Sequence, residues 1–527
     1  MKLGILFVWT LFLNSYLFSQ TILWEKSMGG SKWDTGYSLF KDANGKIIIL
    51  GSSASNDHDV NGLHPGLSLS DDFWLIHLDS AGNLTNQRCI GGSNGDEGRR
   101  MIRTIDGGYL LLGIAASSDG DVTGSGTVRQ QDFWLAKTDS SFNIEWGKLI
   151  GGGLSDIPSS VIQTSDSGFM VVGTSDNFGG YVQVHYGSSN YSDIFVAKVS
   201  KNGVFEWGKT LGGSFDDKGA DVFQTNDGGF IVLGSSDSRD YDMPATSTGG
   251  VAIFKLDSIG NIQFVKTHGG TNGELTTQLI KEENGNFLVL ASTGSSDGDV
   301  VGYMGYVDVW VLKVDSLGEI IWQKCLGSHG WEEATCVIKT NDGGYLIGAT
   351  SFWGDSIINN YSVHEDCWLV KIDSLGNYQW SKIFGGTLDD NVHSILQLSE
   401  HEYIFTGSTR SFDYDVSSCY GSPNCYEDVW VVKFADGINT REEITNPLTD
   451  LKAIYLYNEI SVRFINKNFE KISVRLIDLM GKIVFSKSID CLKGLNYFSF
   501  PLNVRNGVYI LEIRNADSKQ TVKIVVN

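Results

Sequence analysis

Little in this sequence offers a handle for catalysis. It has no His-Glu-x-x-His pair, and its nine histidines stand singly. The seven cysteines include no Cys-x-x-Cys pair, which argues against a structural zinc site. Positive charge is scarce: 40 Lys and Arg face 62 Asp and Glu, for a net charge of −22. Binding to nucleic acid or anionic membrane needs clustered Lys and Arg to neutralise phosphate, so neither is expected as a partner. Helical periodicity is absent between the strand-like runs. After the first nineteen residues no apolar stretch approaches a bilayer's thickness, so no stable membrane span is expected.

What is present is one phrase of about sixty residues repeated seven times. The copies align on the glycine pairs Gly29-Gly30, Gly91-Gly92, Gly151-Gly152, Gly212-Gly213, Gly269-Gly270 and Gly385-Gly386, with Gly327-Ser328 as the variant. A second landmark, as in Asp106-Gly107-Gly108, Asp166-Ser167-Gly168, Asp227-Gly228-Gly229 and Asp342-Gly343-Gly344, sits between apolar runs and marks a tight hairpin with positive φ at its tip. A third is an apolar run closed by a turn, as from Phe73 to Asn83, leading to a Trp-x-Lys strand at Trp146, Trp207, Trp322 or Trp380. Four strands per copy in up-and-down order are the content of a propeller blade.

The ends of the array distinguish a closed ring from an open stack. The Trp-x-Lys strand occurs once before the first glycine pair, at Trp24-Glu25-Lys26, and is missing after the last apolar run, Val429 to Phe434. In a ring the N-terminal strand completes the last blade and removes both sheet edges, whereas a solenoid needs atypical capping repeats. The expected fold is therefore all-β: a seven-bladed β-propeller over residues 20–437, closed by an N-terminal strand. A linker over 438–446 and a small immunoglobulin-like β-sandwich over 447–527 follow.

Residues 1–19, with Lys2 ahead of an apolar stretch, read as a cleaved signal peptide. The charge changes sign near residue 446: residues 447–527 carry twelve Lys and Arg against seven Asp and Glu, and all fourteen Trp lie at or before Trp430. Cys419 and Cys425 flank a short inserted loop and are the best candidates for a disulfide in an oxidising compartment. The C-terminal stretch runs Ile472 to Val484 through a Gly481-Lys482 turn, then Gly494-Leu495-Asn496, Gly507-Val508-Tyr509 and a terminal β-run from Thr521. From Ile444 to Asn527 it resembles the type A C-terminal sorting domain of the type IX (Por) secretion system of Bacteroidota. That resemblance implies export through the type IX translocon, handling by a surface sortase-like peptidase, and a final location that is secreted, extracellular or on the outer cell surface. The repeats, with Thr104 to Val122 as their fullest copy, also resemble propeller repeats of proteins bearing this domain, a group that implies architecture and location.

Candidate chemistry lies in the loop after the second strand of each copy. Asp57-x-Asp59-x-Asn61-Gly62 matches half a calcium loop, as do, less fully, Asp119 with Asp121 and Asp297 with Asp299; calcium is the one cofactor the pattern suggests. The twelfth position, Ser68, lacks the bidentate acid, and Asp in turns also bonds its own backbone, so the plain-turn reading stands beside it. The acid before the third strand recurs in six copies and is Gly250 in the fourth. Function is expected where the symmetry breaks, in the aromatic loops holding Tyr181, Tyr186 and Tyr191, Trp353 and Tyr361, and Tyr420 and Tyr426, whose rings suit a glycan or protein ligand. The chain thus reads as a non-enzymatic binding or scaffold module, with a carbohydrate-active hydrolase or lyase on the same scaffold as the alternative.

Overall fold

A computed structural model describes residues 20–436, apart from 43–44, 67–69, 123–130, 189, 246–248, 353–363 and 421–425, together with the strands of 448–526. The expected signal peptide and linker lie outside the described residues. Contacts divide the chain into two compact units, one of them Gln20–Asp436. All regular structure in the described residues is β.

The first unit holds seven four-stranded antiparallel sheets. Their first strands are Asp34–Lys41, Asp96–Arg103, Asp156–Gln163, Asp217–Gln224, Glu274–Lys281, Trp331–Lys339 and Asp390–Gln397, which number sheets 1 to 7. Each first strand touches the next, and the seventh touches the first, so they form a closed inner ring. Sheet 7 takes its fourth strand from Thr21–Met28, which pairs antiparallel with Asp428–Ala435. These blade-like sheets bear out the repeat reading, including the strand placed at Trp24.

The repeated words are the parts this stacking needs. Seven apolar layers, one per seam between sheets, hold side chains such as Trp74, Trp134, Trp310 and Trp430, all fully buried. In every first strand a bulge at the third residue after the acid turns one side chain inward: Tyr37, Arg99, Ser159, Ala220, Thr277, Thr335 or His393. Some of these stitch the ring, as where Ser159 Oγ donates to the Gly219 carbonyl at 2.7 Å and Thr277 Oγ1 to that of Ala334 at 3.1 Å. In sheets 2, 3, 4 and 6 the lysine of the third strand reaches the hairpin-tip Asp of its own sheet, as Lys137 does to Asp106 at 3.0 Å and Lys371 to Asp342 at 2.8 Å, whereas His77 stands at that place in sheet 1. Gly82, at φ +81, seats the turn of sheet 1 on the Trp24 ring, where a Cβ would come within 2.8 Å.

The first glycine of each pair has a similar task. Two buried carboxylates converge on it, one opening the first strand and one opening the third strand of the preceding sheet: Asp34 with Asp428, Asp96 with Asp72, Asp156 with Asp132, Asp390 with Asp366. A Cβ on Gly151 would collide with both Asp132 Oδ1 and Asp156 Oδ2. Gly151→Ala is therefore expected to destabilise the unit by about 2 kcal/mol or more, read as a lowered melting temperature; an unchanged melt would show that the seam can yield. At the seam between sheets 4 and 5 both partners differ together. Gly250 replaces the Asp, and the longer Glu274 fills the gap, its Oε2 2.5 Å from where a Gly250 Cβ would stand.

The second unit contains a three-stranded sheet, Leu448–Leu456, Glu459–Asn466 and Gly494–Pro501, and a four-stranded one. The latter orders Ile483–Cys491, Glu470–Asp478, Gly507–Arg514 and Lys519–Val526, with Ile472, Val474, Leu476, Leu511 and Ile513 buried along one face.

Candidate functional site

At the end of the inner ring where the first strands begin, backbone geometry is constant and side chains are not. In six sheets the amide of the opening acid donates to the residue before a third strand of the preceding sheet, as Asp96 does to Asp71 at 2.6 Å and Asp217 to Ser192 at 2.7 Å. In six, too, the residue before the acid accepts a backbone bond from the second-strand loop of its own sheet, pairing Trp33 with Ala54, Gly95 with Ala116, Ser155 with Asp176, Asp216 with Asp237, Gly273 with Gly294 and Asp389 with Arg410. The residue after each acid is Thr35, Glu97, Ile157, Lys218, Leu275, Glu333 or Asn391 in turn. Seven equivalent places thus carry seven different sets of side chains.

Their differences hollow out one side. In sheet 7 the pair is filled by Asp389 and Arg410, in ion-pair contact at 2.9 Å. In sheet 5 the same places hold Gly273 and Gly294, and a cavity of about 610 Å³ opens over them. Asp216, Lys218 and Asp237 of sheet 4 wall one side, and Tyr303, Tyr306, Trp331 and Glu333 of sheets 5 and 6 line the rest. Trp331 and Tyr306 are exposed but fixed by backbone: the Tyr306 amide donates to the Gly330 carbonyl at 2.9 Å, and Val307 bridges Trp331. Asp216 Oδ1 accepts from both the amide and the hydroxyl of Ser192 at 3.0 Å. Burial, then the charge of Asp216, holds the Asp237 carboxyl above the usual range, against the pull of Lys218. Glu274, at the cavity edge, is raised by burial, although Ser295, Thr293 and the Gly270 amide oppose the shift.

The expected calcium residues sit in loops that brace the glycine pairs. Asp57 accepts from the Ser31 amide at 2.8 Å, Asp119 from that of Ser93 at 2.7 Å and Asp297 from that of Thr271 at 2.9 Å. Asp59 and Asp299 receive longer bonds from Gly29 and Gly269, at 3.4 and 3.3 Å. Asp121 lies 3.8 Å from His64 and 3.7 Å from Arg88, and the Asn61 carbonyl accepts from Gln87 at 2.9 Å. Hydrogen bonds from Ser31 and Ser93 hold the Asp57 and Asp119 carboxyls below their ordinary range. Among the described residues no three acids, histidines or cysteines form a metal-holding group. Since backbone donors already occupy these oxygens, chelation with EDTA is expected to leave the melting temperature unchanged; a fall of several degrees would restore the calcium reading.

The described ones among the expected ligand-binding aromatics are distributed over three other seams. Between sheets 3 and 4, Tyr186 stacks on Tyr241 at 4.7 Å and Tyr191 meets Phe215 at 5.4 Å; between sheets 7 and 1, Tyr420 stacks on His58 at 4.5 Å and Tyr426 meets Trp33 at 6.2 Å. Tyr181 packs on Phe205 at 4.6 Å beneath Lys148. Trp353 and Tyr361 lie outside the described residues. Cys419 is disulfide-bonded, and its expected partner Cys425 also lies outside them. Trp331 and Tyr306 were not singled out by sequence, although one irregular word, Gly327-Ser328, stands close to Trp331 in the chain.

Residues 454–527 match the secretion system C-terminal sorting domain. The C-terminal segment is thus a type IX sorting domain, which implies export to the cell surface or the extracellular space. No curated protein matches the chain. Among solved structures it is similar to the WD40 domain of Neurospora crassa Pan2, with 10% identity, a TM-score of 0.40, and coverage of 78% of this chain and 95% of that one. A second is the GH93 α-L-arabinofuranosidase of Fusarium graminearum in complex with arabinobiose, with 8% identity, a TM-score of 0.37, and coverage of 77% and 97%. A third is a Trp149Ala variant of Synechocystis apocarotenoid oxygenase, with 13% identity, a TM-score of 0.38, and coverage of 67% and 72%.

Proposed function

We propose that the chain is a secreted seven-bladed β-propeller with an immunoglobulin-like C-terminal sandwich, exported by the type IX route and acting as a binding module for an extracellular glycan or protein. The observation that carries this reading is the cavity over Gly273 and Gly294. It is a concave site that combines exposed aromatic rings with a few convergent polar groups, at the end of the inner ring where the first strands begin.

Glycan and peptide arrays probed with the mature protein test the reading. A ligand should be retained without turnover, and Trp331→Ala should weaken the signal by about tenfold, a loss of about 1.4 kcal/mol, while leaving the melt intact; signals indifferent to that change would place binding elsewhere.

A hydrolase is the second reading, favoured by one observation. Asp237, a carboxyl raised above its usual range, shares the cavity with the half-buried Glu333, and glycoside cleavage uses one protonated and one ionised acid. Release of reducing sugar that disappears in Asp237→Asn would support it over the binding module.

A further inference from the structure

Resting on the binding reading above, we infer that the cavity over Gly273 and Gly294 takes an uncharged sugar chain, and discriminates against both acidic polysaccharides and basic peptides. Three features carry this. The first is the floor: with Gly273 and Gly294 contributing no side chains and Leu275 an apolar surface, a flat ring can lie close to backbone. The second is the aromatic wall. Tyr306 is 70% and Trp331 48% exposed, yet the backbone around both is bonded sheet to sheet, so little freedom is lost when a ligand covers them. The apolar C–H face of a pyranose or furanose suits such rings.

The third feature is the mixture of donors and acceptors. Asp216, Asp237 and Glu333 offer acceptors, and Lys218 on the same wall offers donors without an acceptor. A sugar hydroxyl both donates and accepts, so one ligand can satisfy carboxylates and ammonium together. A uronate or sulfate would bring negative charge against three acids in a chain of net charge −22. A lysine- or arginine-rich peptide would pair with the acids but bring a like charge against Lys218 on the same wall.

The test is titration of the mature protein, followed by tryptophan emission and calorimetry, with neutral hexose and pentose oligosaccharides, their uronic-acid counterparts and oligolysine. At least one neutral oligosaccharide should bind, and Trp331→Ala and Tyr306→Ala should each weaken it by about tenfold, a loss of about 1.4 kcal/mol, with unchanged melting. Lys218→Met should weaken the neutral sugar and strengthen oligolysine. Binding of uronate oligomers or oligolysine that is lost in Trp331→Ala would overturn the ligand class while keeping the binding site. Failure of every neutral oligosaccharide also overturns the class. Binding of any probe that neither aromatic substitution alters would instead strike at the site itself.

Discussion

A mature chain that starts at Ser31, without Thr21–Met28, is expected to lose its cooperative melt and to precipitate. The missing strand registers against Asp428–Ala435 from Thr21 opposite Ala435 to Met28 opposite Val429, and its loss leaves sheet 7 with three strands. The newly bare edge strand is among the most apolar in the chain, with Val429, Trp430, Val431, Val432 and Phe434 all buried in the intact protein. An unpaired edge of that composition is a template for association. Three further ties go with the strand: Met28 in the layer between sheets 7 and 1, the Trp24 ring under Gly82, and Glu25, which accepts from the Trp430 indole at 3.3 Å. Ring closure makes the loss cooperative, because sheet 7 touches both its neighbours. The cost should therefore approach the about 5–15 kcal/mol by which folded domains are stable. Trp24→Ala, which keeps the backbone pairing, should cost only a few degrees of melting temperature. Moving residues 20–29 to follow Asp436 should restore folding, since the sheet requires the strand and not the end of the chain that supplies it. A normal melt in the shortened chain would refute the closure.

The strand at Trp24 was legible because a repeat records its own phase: four strands per copy, one of them early, leaves one way to pair them. The frame was legible for the same reason, each glycine or acid of the phrase having a fixed neighbour in every copy. The cavity was not. Its floor comes from Gly273 and Gly294, its walls from Lys218 and Trp331, and these meet only because consecutive first strands lie side by side in the ring. Glycine at a variable place also reads in sequence as a turn, not as missing bulk. The acid-pair loops were ambiguous for a different reason. A carboxylate that braces a neighbouring loop through its amides, as Asp57 does with Ser31, has the same residue type and spacing as one that faces a cation. The aromatic loops stand out in sequence as breaks in symmetry, but Tyr186 and Tyr420 find partners in Tyr241 and His58 across a seam, which no linear spacing announces.

The melting temperature should be highest near pH 4 and fall by on the order of 10 °C between pH 5 and pH 8, at constant ionic strength, the reverse of what a chain held by carboxylate ion pairs would show. Burial raises Asp34, Asp96, Asp132, Asp217, Asp308 and Asp390 from 3.8 to about 6 and Asp156, Asp193 and Asp428 to about 7, with neighbouring acids adding to burial at Asp156 and Asp428. Asp132, Asp308 and Asp428 each have an Oδ1 with no hydrogen-bond partner among the described residues, beside the glycine where the second acid converges. Protonation of one acid of each pair would supply a donor there. Because these acids bind protons more tightly folded than unfolded, the stability they contribute is full below pH 3.8 and is lost as the pH rises through 6 and 7. Each pKa unit is worth about 1.4 kcal/mol, and in a unit of roughly 400 residues about 1 kcal/mol moves the melt by about 1 °C, so one proton per seam accounts for the size of the fall. At the hairpin tips the sign is opposite. Hydrogen bonding from Thr104 holds Asp106 down at about 2, so the contribution of such groups is lost only as the pH falls below 4. The two sets together place the optimum in mild acid. Asp132→Asn, which needs no proton to be neutral, should flatten the profile and raise the melt at pH 8. A melting temperature that climbs from pH 5 to pH 8 would show that the seam acids are ionised and held by something other than a proton.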